Sequence, residues 1–144
     1  MAREPVFYLD ANVIIAIVEG NSDLSPAQFE FVSAIDSGRL MAVTSELTLS
    51  ECLVKPMADR NVDAISAYMN FLDGREGFPV LPISREILIE AARLRSELGG
   101  KLPDAIHVAT ALQAGCGTFL TNDRRIKTTT KLKSVWWDEL AATP

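Results

Sequence analysis

The chain has 144 residues, of which 48% are hydrophobic and 23% are charged, with 8 glycines and 7 prolines. This composition is typical of a compact globular domain and excludes disordered, collagen-like and disulfide-stapled chains. The 14 basic residues are outnumbered by 19 acidic ones, and the net charge of −5 provides no global positive field for nucleic acid. Any nucleic-acid contact must therefore be local. At this length we expect one domain that covers residues 1–144.

Rare residues limit the chemistry available to the chain. Cys52 and Cys116 are far apart in sequence, so we expect two small buried side chains rather than a redox or metal pair. His107 is the single histidine, which excludes zinc sites built from several histidines. The GxSxG, GxGxxG and GxxxxGK[ST] motifs are missing. Neither a secretory signal nor a membrane span is predicted, so we expect a cytoplasmic protein.

Short apolar runs alternate with segments in which apolar residues recur at helical spacing. In chain order the pattern predicts a strand at 5–9, helices at 12–19 and 25–37, a strand at 40–44, a helix at 45–55 closed by Pro56, a helix at 61–72, an edge strand at 78–83, helices at 84–98 and 103–115, and strands at 118–121 and 133–137. This alternation predicts a doubly wound α/β domain, in which a parallel sheet is covered by helices on both faces.

Two aspartates follow apolar strands of the predicted sheet. Asp10 comes directly after the first strand, and Asp123 comes two residues after the strand at 118–121. In such sheets, ligands bind at the carboxyl ends of the strands, where the strand order reverses. Either aspartate alone could be a solvated turn residue, but the two together favour a ligand-binding site at this edge of the sheet.

Glu51 lies in the predicted helix at 45–55, four residues after Leu47 and three before Val54. This spacing predicts that Glu51 shares their inward face. A buried carboxylate is costly unless a cation satisfies it. The alternative to a metal is a buried salt bridge with Lys55 or Arg60.

Asp104 follows Pro103 at the start of a predicted helix, where the helix dipole favours an anion even without a ligand. The same turn would direct its carboxylate toward Asp10 and Asp123. Several converging carboxylates repel one another unless a divalent cation neutralises them, and an all-oxygen site suits Mg²⁺ or Mn²⁺. Such a metal can activate water against a phosphodiester. His107 could face this site, although a partly buried structural histidine is the simpler interpretation.

Four motifs together resemble the PIN domain family: LDANVII at 9–15, TSELTLSE at 44–51, PDAIHVATA at 103–111 and FLTND at 119–123. Their acids are separated by 41, 53 and 19 residues. Length and motif order are most similar to the VapC toxins of toxin–antitoxin pairs. The resemblance implies a three-layer α/β/α fold with a central parallel sheet of about four to five strands, and a Mg²⁺-dependent endoribonuclease inhibited by a VapB antitoxin.

Carried over by position, the resemblance implies that the metal-binding and catalytic acids are Asp10, Glu51, Asp104 and Asp123. It also implies that Asn12 and Thr121 orient substrate or a metal ligand. Ala11 departs from the threonine or serine that many relatives have after the first aspartate. We also expect a homodimer that offers an apolar groove to the antitoxin, for which the helices at 25–37 and 61–72 are candidates.

Two other functions stay open at this stage. A metal-dependent phosphohydrolase with Asp10 as nucleophile usually has a second aspartate two residues later, where this chain has Asn12. A non-catalytic acidic interaction module would need a lysine near the acids. For RNA, the basic residues at 124–133 are candidates, above all Arg124, Arg125 and Lys127, although a basic run is often only a solvated face.

Overall fold

A computed structural model describes residues 6–20 and 23–140 of the chain. In chain order the elements are β1 (Val6–Leu9), α1 (Ala11–Glu19), α2 (Pro26–Asp36), β2 (Met41–Ser45), α3 (Glu46–Ala58), α4 (Val62–Phe71), β3 (Val80–Leu81), α5 (Arg85–Leu98), α6 (Leu102–Gln113), β4 (Thr118–Thr121), β5 (Lys133–Trp136) and a 3₁₀ turn at Trp137–Glu139. The first residue of the strand predicted at 5–9 lies outside the described residues. Within the described ranges, no helix combines the length and apolar character needed to cross a membrane.

The described strands form one parallel sheet in the order β3-β2-β1-β4-β5. The prediction of an α/β/α domain with about four to five parallel strands is confirmed. The predicted edge position of β3 is also confirmed, but β3 is shorter than residues 78–83. Pro79 and Pro82 flank it, and proline has no N–H to donate to a ladder.

The sheet separates two apolar cores because successive strand residues point to opposite faces. Tyr8 of β1 and Phe119 of β4 pack in a cluster with residues of α5 and α6. The next residues, Leu9 and Leu120, pack in a second cluster with residues of α1 to α4. Both faces of the central strands are therefore buried, and their carboxyl ends are left as the place for a site.

Helix α3 continues past the end that the sequence predicts. Pro56 lies inside the helix and is buried, and the helix ends at Ala58. A proline in the last turn removes one N–H donor, but the carbonyls around it still find partners. Asp59 N donates to Lys55 O at 2.9 Å, and Asn61 N donates to Pro56 O at 2.9 Å. The prediction that Pro56 closes this helix was therefore wrong.

Both cysteines are free and buried, as predicted. Cys52 belongs to the core under α1 to α4, and Cys116 belongs to the core under α5 and α6, so the sheet separates them. Burial is the main reason that the pKa of Cys52 is raised to about 12 and the pKa of Cys116 to about 11. Both thiols are therefore protonated at neutral pH and unreactive.

Candidate active site

The four predicted acids lie on four different elements around the carboxyl end of the central strands. Asp10 directly follows β1, Asp123 follows β4 by two residues, Glu51 lies on α3, and Asp104 is the third residue of α6. Burial raises the pKa of Asp104, and the negative charges of Asp10, Asp123 and Glu51 raise it further, whereas His107 opposes the shift. The four carboxylates therefore share one electrostatic environment.

Asp10 is held by hydrogen bonds to both oxygens and is only 4% exposed. It is the N-cap of α1, and its Oδ1 accepts a bond from Ala11 N at 2.9 Å. Its Oδ2 accepts bonds from Asn12 Nδ2 at 2.8 Å and from Thr121 Oγ1 at 2.8 Å. The fold therefore gives this carboxylate one orientation, and its donors are all neutral.

Asn12 and Thr121 connect the loop after β1 with the loop after β4. Thr121 Oγ1 accepts a bond from Asn12 Nδ2 at 3.2 Å and another from Asp123 N at 3.0 Å. Asn12 Oδ1 accepts a bond from Asn122 N at 2.8 Å. Both residues thus contact the Asp10 carboxylate and the backbone N–H groups of the loop after β4.

Asp123 forms a two-point ion pair with Arg125. Arg125 Nε lies 3.0 Å from Oδ1, and Arg125 Nη2 lies 3.1 Å from Oδ2. The backbone N of Arg125 also donates to Oδ1 at 3.0 Å. These bonds hold the pKa of Asp123 below its usual value. The structure therefore places a cation from the predicted RNA-binding run on one of the predicted metal acids.

The predicted inward face of Glu51 was wrong. Val54, which was expected to share that face, is 66% exposed, and the Glu51 side chain is 34% exposed. The buried face of α3 passes instead through Cys52, Leu53 and Pro56, so Glu51 lies beside it. Its partner is not the predicted Lys55 or Arg60 but His107, whose Nε2 lies 2.5 Å from Oε1.

His107 is fully buried, whereas the sequence favoured a partly buried residue. Its Nδ1 lies 2.5 Å from the hydroxyl of Tyr8, and its Nε2 lies 3.6 Å from Asp10 Oδ1. Burial lowers the pKa of His107, but its hydrogen bond to Glu51 and the nearby carboxylates outweigh this effect and raise the pKa overall. Sequence reasoning missed Tyr8, and its apolar strand carried no signal of a polar role.

The donor chemistry of the acids suits a hard divalent cation, since all their ligand atoms are oxygens. Burial and the neighbouring carboxylates raise the pKa of Asp104, which a bound cation would counteract. Within the described chain, however, no three His, Cys, Asp or Glu side chains stand together in an arrangement that could hold one ion. A metal would require side-chain movement, and Arg125, which contacts both oxygens of Asp123, would have to leave that carboxylate.

The basic run after Asp123 is partly neutralised by acids at the end of the chain. Arg124 Nη2 lies 3.0 Å from Asp138 Oδ1 and 2.8 Å from Glu139 Oε1, and its guanidinium lies 4.9 Å from the ring centroid of Trp136. The Arg124 guanidinium is therefore already paired with two acids on the surface. Its charge is less available to a phosphate than the sequence suggests.

A narrow cleft beside Asp104 is lined by three basic residues, Lys101, Arg125 and Lys127. Lys101 was missed by the sequence reasoning because it stands outside the basic run, directly before α6. Its charge contributes to the lowered pKa of Asp123, so it is electrostatically close to the acids. We call Lys101, Arg125 and Lys127 the basic rim.

A profile of the PIN domain matches residues 7–132. The chain belongs to the PIN domain family. This family is of the nuclease type. A search of curated proteins found no match.

Solved structures share the fold of this PIN domain at low identity. VapBC2 from Rickettsia felis, bound to a promoter DNA fragment, has a TM-score of 0.74 and 16% identity, covering 92% of this chain and 99% of that one. DNA-bound VapBC from Salmonella typhimurium has a TM-score of 0.68 and 18% identity, with 92% and 98% covered. VapBC-5 from Mycobacterium tuberculosis has a TM-score of 0.59 and 19% identity, with 91% and 98% covered.

Proposed function

We propose that this PIN domain is a Mg²⁺-dependent endoribonuclease of the VapC toxin type, in which Mn²⁺ can replace Mg²⁺. The observation that carries the proposal is that Asp10, Glu51, Asp104 and Asp123 lie around one end of the sheet, where burial and neighbouring charges disfavour the charged form of Asp104. A cation would relieve this repulsion. Fold similarity to VapBC chains supports the toxin type.

A divalent cation bound by these acids would supply charge stabilisation at the phosphodiester and acidify an attacking water. The chain's own residues would then position the reactants. Asp10 presents a carboxylate whose orientation is set by Asn12 and Thr121. Asp104 and Glu51 add charge from the two helices beside the sheet edge. Asp123 completes the set once Arg125 leaves it.

The basic rim would hold the RNA backbone beside the acids. Arg125 and Lys127 belong to the predicted RNA-binding residues, and Lys101 adds a third charge on the same cleft. Arg124, the remaining predicted residue, would contribute less because it already pairs with two acids. Phosphate contacts of this kind give affinity without sequence specificity, which must come from other contacts.

The test is cleavage of single-stranded RNA by the purified protein with Mg²⁺, with Mn²⁺ and with excess EDTA. We expect metal-dependent cleavage that Asp104→Asn removes while the far-UV circular dichroism stays unchanged. Asp63→Asn, on the exposed first turn of α4, is the matched control and should cleave like the wild type. Full cleavage in EDTA, or full activity of Asp104→Asn, would contradict the proposal.

We further propose that the protein is a cytoplasmic homodimer that binds a VapB-like antitoxin. The helix pair α3–α4 exposes four apolar side chains, Val54, Met57, Val62 and Met69, which are 66%, 55%, 69% and 49% exposed. Exposed apolar side chains in this number are typical of surfaces that bind another protein. Sedimentation at micromolar concentration should show a dimer, and a strictly monomeric protein would count against it.

A further inference from the structure

We propose that Tyr8 and His107 form a buried positioning pair that orients the Glu51 carboxylate toward the other acids. The inference rests on the proposed function, because it assigns these two residues a role in assembling the same site. Tyr8 lies two residues before Asp10 on β1, and His107 lies three residues after Asp104 on α6. The chain of hydrogen bonds from Tyr8 through His107 to Glu51 therefore links the three elements β1, α6 and α3.

The direction of these hydrogen bonds follows from the groups involved. A carboxylate can only accept, so His107 Nε2 must carry the hydrogen that lies toward Glu51 Oε1, 2.5 Å away. In the neutral ring, Nδ1 is then an acceptor, and the Tyr8 hydroxyl, also 2.5 Å away, donates to it. Tyr8 thus selects the tautomer in which His107 donates to Glu51.

Both rings are held by packing. Tyr8 and His107 are each 0% exposed. The Tyr8 ring stacks on Phe119 with centroids 5.2 Å apart and an angle of 5° between the planes, and it meets the His107 ring edge-on. A rotation of His107 would leave buried polar atoms without partners. The donor that faces Glu51 is therefore fixed in position.

Glu51 is the acid that needs such a partner. Asp10 is fixed by the backbone N–H of Ala11, by Asn12 and by Thr121, whereas the long Glu51 side chain starts from a helix beside the sheet and is 34% exposed. His107 Nε2 is also 3.6 Å from Asp10 Oδ1. One N–H group therefore lies between the two carboxylates and keeps Glu51 on the side of Asp10.

The test compares five proteins: the wild type, the single variants Tyr8→Phe, His107→Phe and Glu51→Gln, and the double variant His107→Phe/Glu51→Gln. Phenylalanine keeps a ring at both positions and removes the hydrogen-bonding atoms. Mn²⁺ affinity is measured by calorimetry, and kcat and KM for RNA cleavage are measured separately. Mutating a residue that orients a metal ligand typically lowers metal affinity or activity about 10–100-fold. We therefore expect His107→Phe to weaken Mn²⁺ binding by about 10-fold or more. We expect kcat to fall with little change in KM.

The double variant decides whether His107 acts through Glu51. If it does, the loss of Mn²⁺ affinity in the double variant equals that of Glu51→Gln alone, because two residues in one network are not additive. If the double variant instead loses Mn²⁺ affinity by the product of the two single-variant losses, the proposal is overturned. So would wild-type Mn²⁺ affinity and kcat in both Tyr8→Phe and His107→Phe.

Nitrogen NMR of His107 gives a readout that does not need activity, since it is the only histidine in the chain and yields one set of signals in a tag-free protein. The wild type should show a proton on Nε2, and Tyr8→Phe should shift the Nδ1 signal and weaken Mn²⁺ binding in the same direction as His107→Phe. If His107→Phe fails to fold, Tyr8→Phe decides alone, because a loss of stability with unchanged Mn²⁺ affinity would mean a purely structural role.

Absence of RNA cleavage in the wild type would refute the proposed function, whereas Mn²⁺ binding and NMR would still test the positioning pair.

Discussion

Replacing Thr121 by valine tests how strongly the fold orients the first aspartate of the site. Thr121 is the last residue of β4 and is 0% exposed. Its hydroxyl donates to Asp10 Oδ2 at 2.8 Å and accepts bonds from Asp123 N and Asn12 Nδ2. Valine keeps the branched shape that suits a strand and removes only the hydroxyl. The perturbation is therefore confined to these three hydrogen bonds.

The bond to Asp10 dominates the expected loss of stability. Hydrogen bonds to charged groups contribute about 1.5–3 kcal/mol, and neutral bonds contribute about 0.5–1.5 kcal/mol. The Asp123 and Asn12 donors are only partly buried, so water can replace part of what they lose. We therefore expect the free energy of unfolding of Thr121→Val to fall by about 2–3 kcal/mol, which lowers Tm by about 6–10 °C for a chain of this size.

Guanidinium unfolding of the metal-free protein measures this change, and Thr118→Val is the matched control. Thr118 is the first residue of the same strand, so it lies at the end away from the site. The control should change the free energy of unfolding by less than about 1 kcal/mol. A loss below about 0.5 kcal/mol for Thr121→Val, or a loss equal to that of the control, would refute the reasoning.

Two further predictions concern the charges of the site. Asp104→Asn should raise the Tm of the metal-free protein and remove the Tm increase caused by Mg²⁺, because burial and the neighbouring carboxylates raise the Asp104 pKa. A raised carboxyl pKa costs stability as pH rises above the usual value of 3.8, so the gain from asparagine should be absent in acid and grow toward neutral pH. A gain equal at both pH values would contradict this. Lys127→Ala should reduce the salt slope of single-stranded RNA binding by about 0.7 in fluorescence anisotropy, and Arg124→Ala should reduce it less, because Arg124 already pairs with two acids. Equal slope changes would show that these surface pairs do not occupy Arg124.

The sequence was sufficient for the parts of the site that depend on strand ends. An apolar run that stops at a polar residue marks the carboxyl end of a buried strand, and this placed Asp10 and Asp123 at one edge of the sheet. Asp104 was placed by a proline near the start of its helix. In each case the information is local, because the element boundary itself positions the carboxylate.

The rest of the site depends on tertiary packing that local patterns do not contain. Glu51 could lie on several faces of the predicted helix, and the packing of α3 against α1 and α4 decides which face is buried. The partners of His107 lie 99 and 56 residues away in sequence. Arg124 is paired with Asp138 and Glu139 because β5 brings the end of the chain back to the site.

The four acids differ in the charge of their partners, and this decides where a cation is attracted most. Asp10 receives its hydrogen bonds from neutral donors, which satisfy its oxygens without cancelling the charge. Arg125 offsets the charge of Asp123 through two hydrogen bonds, whereas His107 donates a hydrogen bond to Glu51 and lies 3.6 Å from Asp10 Oδ1. The charge of Asp123 is therefore the one that a permanent cation compensates, and removing a charge at Asp10 or Asp104 should weaken divalent binding more than the same change at Asp123.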